Sequence, residues 1–261
     1  MNRIENTFLQ LKKKHAKGLI VFLTAGYPDL QTTERLIHVL IDSGADAVEI
    51  GIPFSDPIAD GPVIQMSSEK ALEQGITLPR VLQWIQKIRK RVAVPILCMG
   101  YANPFARFGY ARLMHANKGI IDGLIIPDLS LEESGEVRFL SRKNNMHLIQ
   151  LISPITPEVR RDRILRVSSG FIYAVSTTGV TGARKTVPKK TISFLSRLRS
   201  RTSIPIAVGI GISSPLQIKA VKRYVDAVIV GSAYIELIRK YKGKKLDSEI
   251  RKYTNKLKKA L

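Results

Sequence analysis

The chain has 261 residues, 44% of them hydrophobic, which suits one domain with a large core, and its 42 Lys and Arg against 21 Asp and Glu give a net charge of +21. It holds no run of eighteen apolar residues, and the opening MNRIENTFLQLKKKHAKG lacks a signal-peptide core, so a soluble, cytoplasmic protein is expected and a membrane partner is not. The single cysteine, Cys98, excludes an internal disulfide and a cysteine-rich metal site; the cations are spread over helix-like segments without an RNP, zinc-finger or KH pattern, so no specific nucleic-acid partner is expected.

A short extra helix is expected first. Apolar runs then recur at intervals of roughly thirty residues, each followed by an amphipathic stretch, which is the spacing of βα units. The first is Leu19–Thr24. The second, Ala47–Ile52, carries Glu49 between apolar neighbours, and no lysine or arginine falls within any of the eight runs. A carboxyl buried without a cation has its pKa raised, which makes it usable as an acid or base near neutral pH. The next ten residues, Pro53 to Pro62, hold three prolines, a glycine and two carboxylates, Asp56 and Asp60. A stiff loop there is expected to bring at least one carboxylate beside Glu49, and pattern alone does not choose between the two.

The third run, Ile96–Tyr101, contains Cys98 as a buried small hydrophobe. Gly123–Pro127 and His147–Ile152 follow, and then Phe171–Val175, whose Tyr173 points either into the barrel mouth or into the core. A polar loop from Ser176 to Thr186, with two glycines, reads as a lid. The seventh run, Ile206–Gly209, leads through Gly211 into a helix capped at Ser213, and the eighth, Ala227–Gly231, leads through Ser232 into another. Paired glycine turns opening helices expose N–H groups towards an anion, the usual phosphate position of a barrel. SGADAVEIG, IIDGLIIP and YVDAVIVG each put an Asp before a run, so Asp46, Asp122 and Asp226 belong to the opposite, stability-bearing end.

Eight similar repeats without polar edge strands favour closure. The expectation is therefore an α/β fold, a (β/α)₈ TIM barrel in one domain over 1–261. Without a strand lysine Schiff-base chemistry is disfavoured, and carboxylate acid–base chemistry on a small phosphorylated substrate remains. No metal site is expected, since no histidine falls at a strand exit.

AVEIGIPFSDPIADGPVIQ, MGYANPF, IIPDLSLEES, YAVSTTGVTGAR, GIGISSP and VGSA, in this order over nearly the whole length, closely resemble the tryptophan synthase alpha chains. The resemblance implies a lyase that splits indole-3-glycerol phosphate to indole and glyceraldehyde 3-phosphate. Glu49 matches the catalytic acid/base and Asp60 the carboxylate that accepts the indole N–H. Tyr173 and Tyr101 match substrate-lining positions, Thr181 the lid threonine, and Gly182, Gly211, Gly231 and Ser232 phosphate contacts. The implied partner is a beta chain in an α₂β₂ tetramer, met near Pro53, Asp56, Asn103 and Phe105. Pyridoxal phosphate is expected only in that partner, and no cofactor in this chain. A barrel that only binds and activates the beta chain is the alternative. Asp128-Leu129-Ser130 departs from the more usual Asp-Leu-Pro, and the strong positive charge is unusual for the family.

Overall fold

The computed structural model describes residues 1–175, 186–209 and 211–261. Eight parallel strands close into a barrel in chain order, β1 Gly18–Thr24, β2 Ala47–Gly51, β3 Ile96–Met99, β4 Gly123–Ile125, β5 His147–Ile152, β6 Ile172–Val175, β7 Ile206–Gly209 and β8 Ala227–Val230, with β8 pairing back onto β1. Helix α1 (Arg3–Lys13) precedes the barrel. The connections hold α2 (Leu30–Asp42), α3 (Pro62–Glu73), α4 (Leu78–Ile88), α5 (Ala102–Phe108), α6 (Tyr110–Ala116), α7 (Gly135–Lys143), α8 (Glu158–Val167), α9 (Lys189–Arg199) and α10 (Pro215–Val221). After β8 come α11 (Ser232–Lys240) and α12 (Gly243–Lys258). Among the described residues no helix is long and apolar enough to cross a membrane.

The expected closed barrel is thus present, with strand ends that differ by one or two residues. β2, β3, β4 and β8 stop short of Ile52, Tyr101, Pro127 and Gly231, β6 starts after Phe171, and β1 starts one residue earlier, at Gly18. The shortening is gradual. Ile52 N still donates to the Met99 carbonyl (2.7 Å) and Gly100 N to that of Ile125 (3.0 Å), while Pro127 has no N–H to continue the ladder.

Alternation along each strand sorts the apolar residues into two layers. Ile20, Ala47, Leu97, Ile125, Ile149, Phe171, Ala207, Ala227 and Ile229 fill the barrel, while Val48, Ile50, Cys98, Leu148 and Val228 face the helices. Helix α1 stoppers the N-terminal end of the barrel. Asn2 caps it by accepting from Ile4 N at 2.8 Å, Glu5 returns the bond to Asn2 N at 2.9 Å, and Ile4, Phe8 and Leu11 form one stripe that meets Phe171. Burying each such side chain contributes about 1.5–3 kcal/mol.

At this same end the three aspartates repeat one device. Asp46 accepts from Leu19 N (2.7 Å) and Lys258 Nζ (2.7 Å). Asp122 accepts from Ile96 N (2.9 Å), Arg89 Nη1 (2.9 Å) and Arg3 Nη1 (3.1 Å), and Asp226 accepts from Ile206 N (2.8 Å) and Arg199 Nη1 (2.7 Å). Each carboxylate ties an N–H at the start of an earlier strand to a cation. Their structural reading from sequence holds.

Candidate active site

On β2 the residues of one parity, Ala47 and Glu49, face the barrel interior, and the register sets Glu49 beside Phe22 of β1 and Leu97 of β3. Glu49 is fully buried, and among the described residues neither carboxyl oxygen has a hydrogen-bond partner. Burial, and secondarily the charge of Asp60, push its pKa up to about 8. It is therefore mostly protonated at neutral pH. Tyr173 enters the same space from β6, and burial followed by the charges of Glu49 and Asp60 holds its hydroxyl well above the ordinary phenol range. It is wedged against β7: a Cβ on Gly209 would lie 2.4 Å from the Tyr173 hydroxyl, so only glycine fits there.

The loop between β2 and α3 separates the two aspartates. Asp56 is exposed at its tip and accepts from the Ser55 hydroxyl at 2.5 Å. Asp60 is half-buried, and its Oδ2 accepts from the Tyr101 hydroxyl at 3.0 Å. Burial raises the Asp60 pKa to about 6, against the lowering effect of that hydrogen bond. Helix α3 braces the loop. Ser68 Oγ accepts from Phe54 N (2.8 Å), and Gln65 Nε2 donates to the Asp60 carbonyl (2.9 Å). The mouth thus holds two carboxyls with displaced and distinct pKa values, the arrangement that supplies an acid and a base at one pH.

At the other side of the mouth Gly211 adopts φ +86, the left-handed turn a side chain resists. Ser214, one residue later than expected, is the N-cap of α10, accepting from Gln217 N at 3.3 Å with Pro215 in the first turn. The shift has a cause: the Ser213 N–H is taken by Gln217 Oε1 at 2.9 Å, and Gln217 Nε2 donates to the Gly211 carbonyl at 2.9 Å. Gln217 therefore pins the turn, a role the sequence did not signal. Gly231 opens α11 without a side-chain cap, so its first N–H groups, at Ser232 and Ala233, remain available to an anion among the described residues.

A family model described as tryptophan synthase alpha chain matches residues 8–261. The chain belongs to the tryptophan synthase alpha chain family. A tryptophan synthase alpha chain from Geotalea daltonii is 43% identical over 251 residues, covering 96% of this chain and 95% of the relative. One from Geobacter sulfurreducens is 42% identical over 262 residues, covering 100% and 99%. Among solved structures, tryptophan synthase subunit alpha from Legionella pneumophila superposes with a TM-score of 0.88 at 34% identity, covering 100% of this chain and 98% of that one. A chain of Mycobacterium tuberculosis tryptophan synthase gives 0.91 at 30% identity, covering 99% and 98%.

Against the resemblance to tryptophan synthase alpha chains, the structure brings Glu49, Asp60, Tyr101 and Tyr173 to the mouth of the barrel, with Gly211, Gly231 and Ser232 following β7 and β8. Thr181, Gly182 and the expected lid lie outside the described residues. Of the four positions matched to a partner face, Asp56 and Asn103 are exposed, whereas Pro53 is buried and Phe105 wholly so. Phe105 packs into the core next to Gly100, so it shapes that face without reaching beyond it. Ser130 keeps its turn without the proline, because its hydroxyl accepts from Glu133 N (3.2 Å) and donates to Glu133 Oε2 (2.6 Å). Phe22 is a mouth residue that sequence reading missed. Its alternation with Ile20 on β1 was the available signal.

Proposed function

We infer that this chain is the lyase of its family, cleaving indole-3-glycerol phosphate to indole and glyceraldehyde 3-phosphate, with Glu49 and Asp60 as the catalytic pair. The observation that carries the reading is the buried Glu49 carboxyl, without a hydrogen-bond partner among the described residues, next to a second carboxyl of lower pKa.

At neutral pH Glu49 holds its proton and Asp60 is largely ionised. Glu49 donates to C3 of the indole ring, and the ring becomes cationic. Asp60 accepts the ring N–H and stabilises that charge, a preorganised contact worth most where water is excluded. The hydroxyl on the carbon next to C3 then returns a proton to Glu49 and becomes a carbonyl. The C3–carbon bond breaks, and its electron pair restores the neutral ring. Protons balance over the cycle, and no step calls for a cofactor. Tyr173 lines the ring. Gly211, Gly231 and Ser232, with Gly182 of the lid, hold the phosphate, and Thr181 of the lid positions Asp60 on closure.

The reading extends to the assembly. Residues 1–261 act as one cytoplasmic domain that passes indole to a beta chain in an α₂β₂ tetramer, docking on the side that shows Asp56 and Asn103. Pyridoxal phosphate belongs to that beta chain. The test is indole release from indole-3-glycerol phosphate, with and without a beta subunit. Release by this chain supports the lyase; stimulation of the beta reaction without release makes it an activator, and turnover only of phosphosugars lacking the ring makes it another barrel enzyme.

A further inference from the structure

Tyr101 stands where three loops meet. It lies two residues beyond the end of β3, is buried, and is the residue before α5. Its ring stacks on Phe54 at 5.2 Å between centroids and 27° between planes. Its hydroxyl accepts from Ala59 N at 3.0 Å and lies 3.0 Å from Asp60 Oδ2. A phenol has one proton to give, and an ionised carboxylate only accepts. With Ala59 N–H on its oxygen, the Tyr101 proton is directed to Asp60. The next residue, Ala102, donates its N–H to Asp128 Oδ1 at 2.9 Å, so the loops after β2, β3 and β4 are tied through adjacent positions.

The groups acting electrostatically at this point are acidic or neutral: Glu49 on β2, Tyr173 on β6 and Asp128 after β4. No described lysine or arginine figures among the influences on Asp60. The Tyr101 hydroxyl is thus the described side-chain donor that favours the ionised form of Asp60, and it engages only Oδ2. Among the described residues Oδ1 has no hydrogen-bond partner.

We propose that Tyr101, beyond the substrate-lining place the resemblance gives it, is a positioning residue for the lyase reaction, acting through Asp60 by orienting its carboxylate and keeping it ionised. This rests on the reading of Asp60 given above. Tyr101→Phe keeps the ring and its stacking and removes only the hydroxyl. Loss of a hydrogen bond to a charged group lowers kcat about ten- to a hundredfold. KM stays within about twofold, since binding common to ground and transition states is untouched. Removing a donor that lowers the Asp60 pKa raises it, so the low-pH limb of kcat/KM moves to higher pH.

The experiment measures steady-state and single-turnover indole release for wild type, Tyr101→Phe, Asp60→Asn and the double variant across pH, with thermal unfolding as a check on folding. The proposal expects the low-pH limb to shift upward in Tyr101→Phe, and the tyrosine change to add nothing in the Asp60→Asn background. A raised KM with unchanged kcat, an unmoved limb, or losses that multiply in the double variant would overturn it. Near-wild-type cleavage by Asp60→Asn alone would instead sink the role given to Asp60, whatever Tyr101 does.

Discussion

The two ends of this barrel carry the same functional group, a carboxyl, in opposite states. At the N-terminal end Asp46, Asp122 and Asp226 each accept a strand N–H and face a lysine or arginine. At the C-terminal end Glu49 is buried more deeply than any of them and has no hydrogen-bond partner among the described residues. A satisfied carboxylate fixes strands at little electrostatic risk, while an unsatisfied one holds its proton into the neutral range. Which end does chemistry follows from that difference, before any substrate is considered.

Glu49→Gln breaks the comparison where its effect is largest. Removing the acid should lower indole release by about 10²–10⁴-fold, as expected for general acid–base groups. Stability should move the other way. The Glu49 pKa is raised on folding to about 8, so the native state binds the extra proton and loses stability as pH climbs from the unfolded value towards 8. The glutamine cannot ionise, so at pH values above 8 it should unfold at a higher temperature than wild type. Thermal scans at several pH values check this; a variant less stable than wild type across the whole range contradicts it.

At the other end the signs reverse. Asp122→Ala strips the partner from Arg89, which is itself buried, and leaves Ile96 N without its acceptor. Urea unfolding should show a loss of about 3–5 kcal/mol. The rate of indole release per folded molecule should be unchanged. A catalytic defect of the Glu49→Gln kind in Asp122→Ala would erase the distinction between the ends.

A gentler probe is pH itself. Cleavage requires Asp60 ionised, with its pKa at about 6, and Glu49 protonated, with its pKa at about 8. The rate should rise through the first value and fall through the second, giving a bell centred near neutrality. A rate that climbs steadily past pH 9 contradicts the assignment of Glu49 as the acid. The smallest effect belongs to Asp56→Asn. Asp56 is exposed, and among the described residues its carboxylate bonds only the Ser55 hydroxyl, so stability should change by no more than about 0.5 kcal/mol and cleavage by the unpartnered chain should be near wild type.

Much of this was legible in the sequence because barrel repeats write themselves as apolar runs with an Asp before and a Gly after. Glu49 stood out as a charge inside such a run, and the structure adds that no described residue hydrogen-bonds to it. Asp56 and Asp60 were not separable by pattern, since both sit in one proline-rich loop; the family resemblance selected Asp60, and the packing of Tyr101 and Ser68 against that loop supplies the physical difference. The Gln217 clamp and the place of Phe22 in the mouth depend on how strands and turns meet in space. Periodicity carries no record of that. The buried Phe105 shows the converse: a position near a surface by motif was core by packing.

The central claim is that Glu49 keeps its proton at neutral pH because it is buried and no described residue satisfies its charge. Infrared difference spectra of wild type against Glu49→Gln, titrated with pH, measure this directly. A protonated carboxyl band belonging to Glu49 should persist through neutrality and disappear with a midpoint at about 8. A band already lost by pH 5, the behaviour of an ordinary solvated glutamate, would contradict the account.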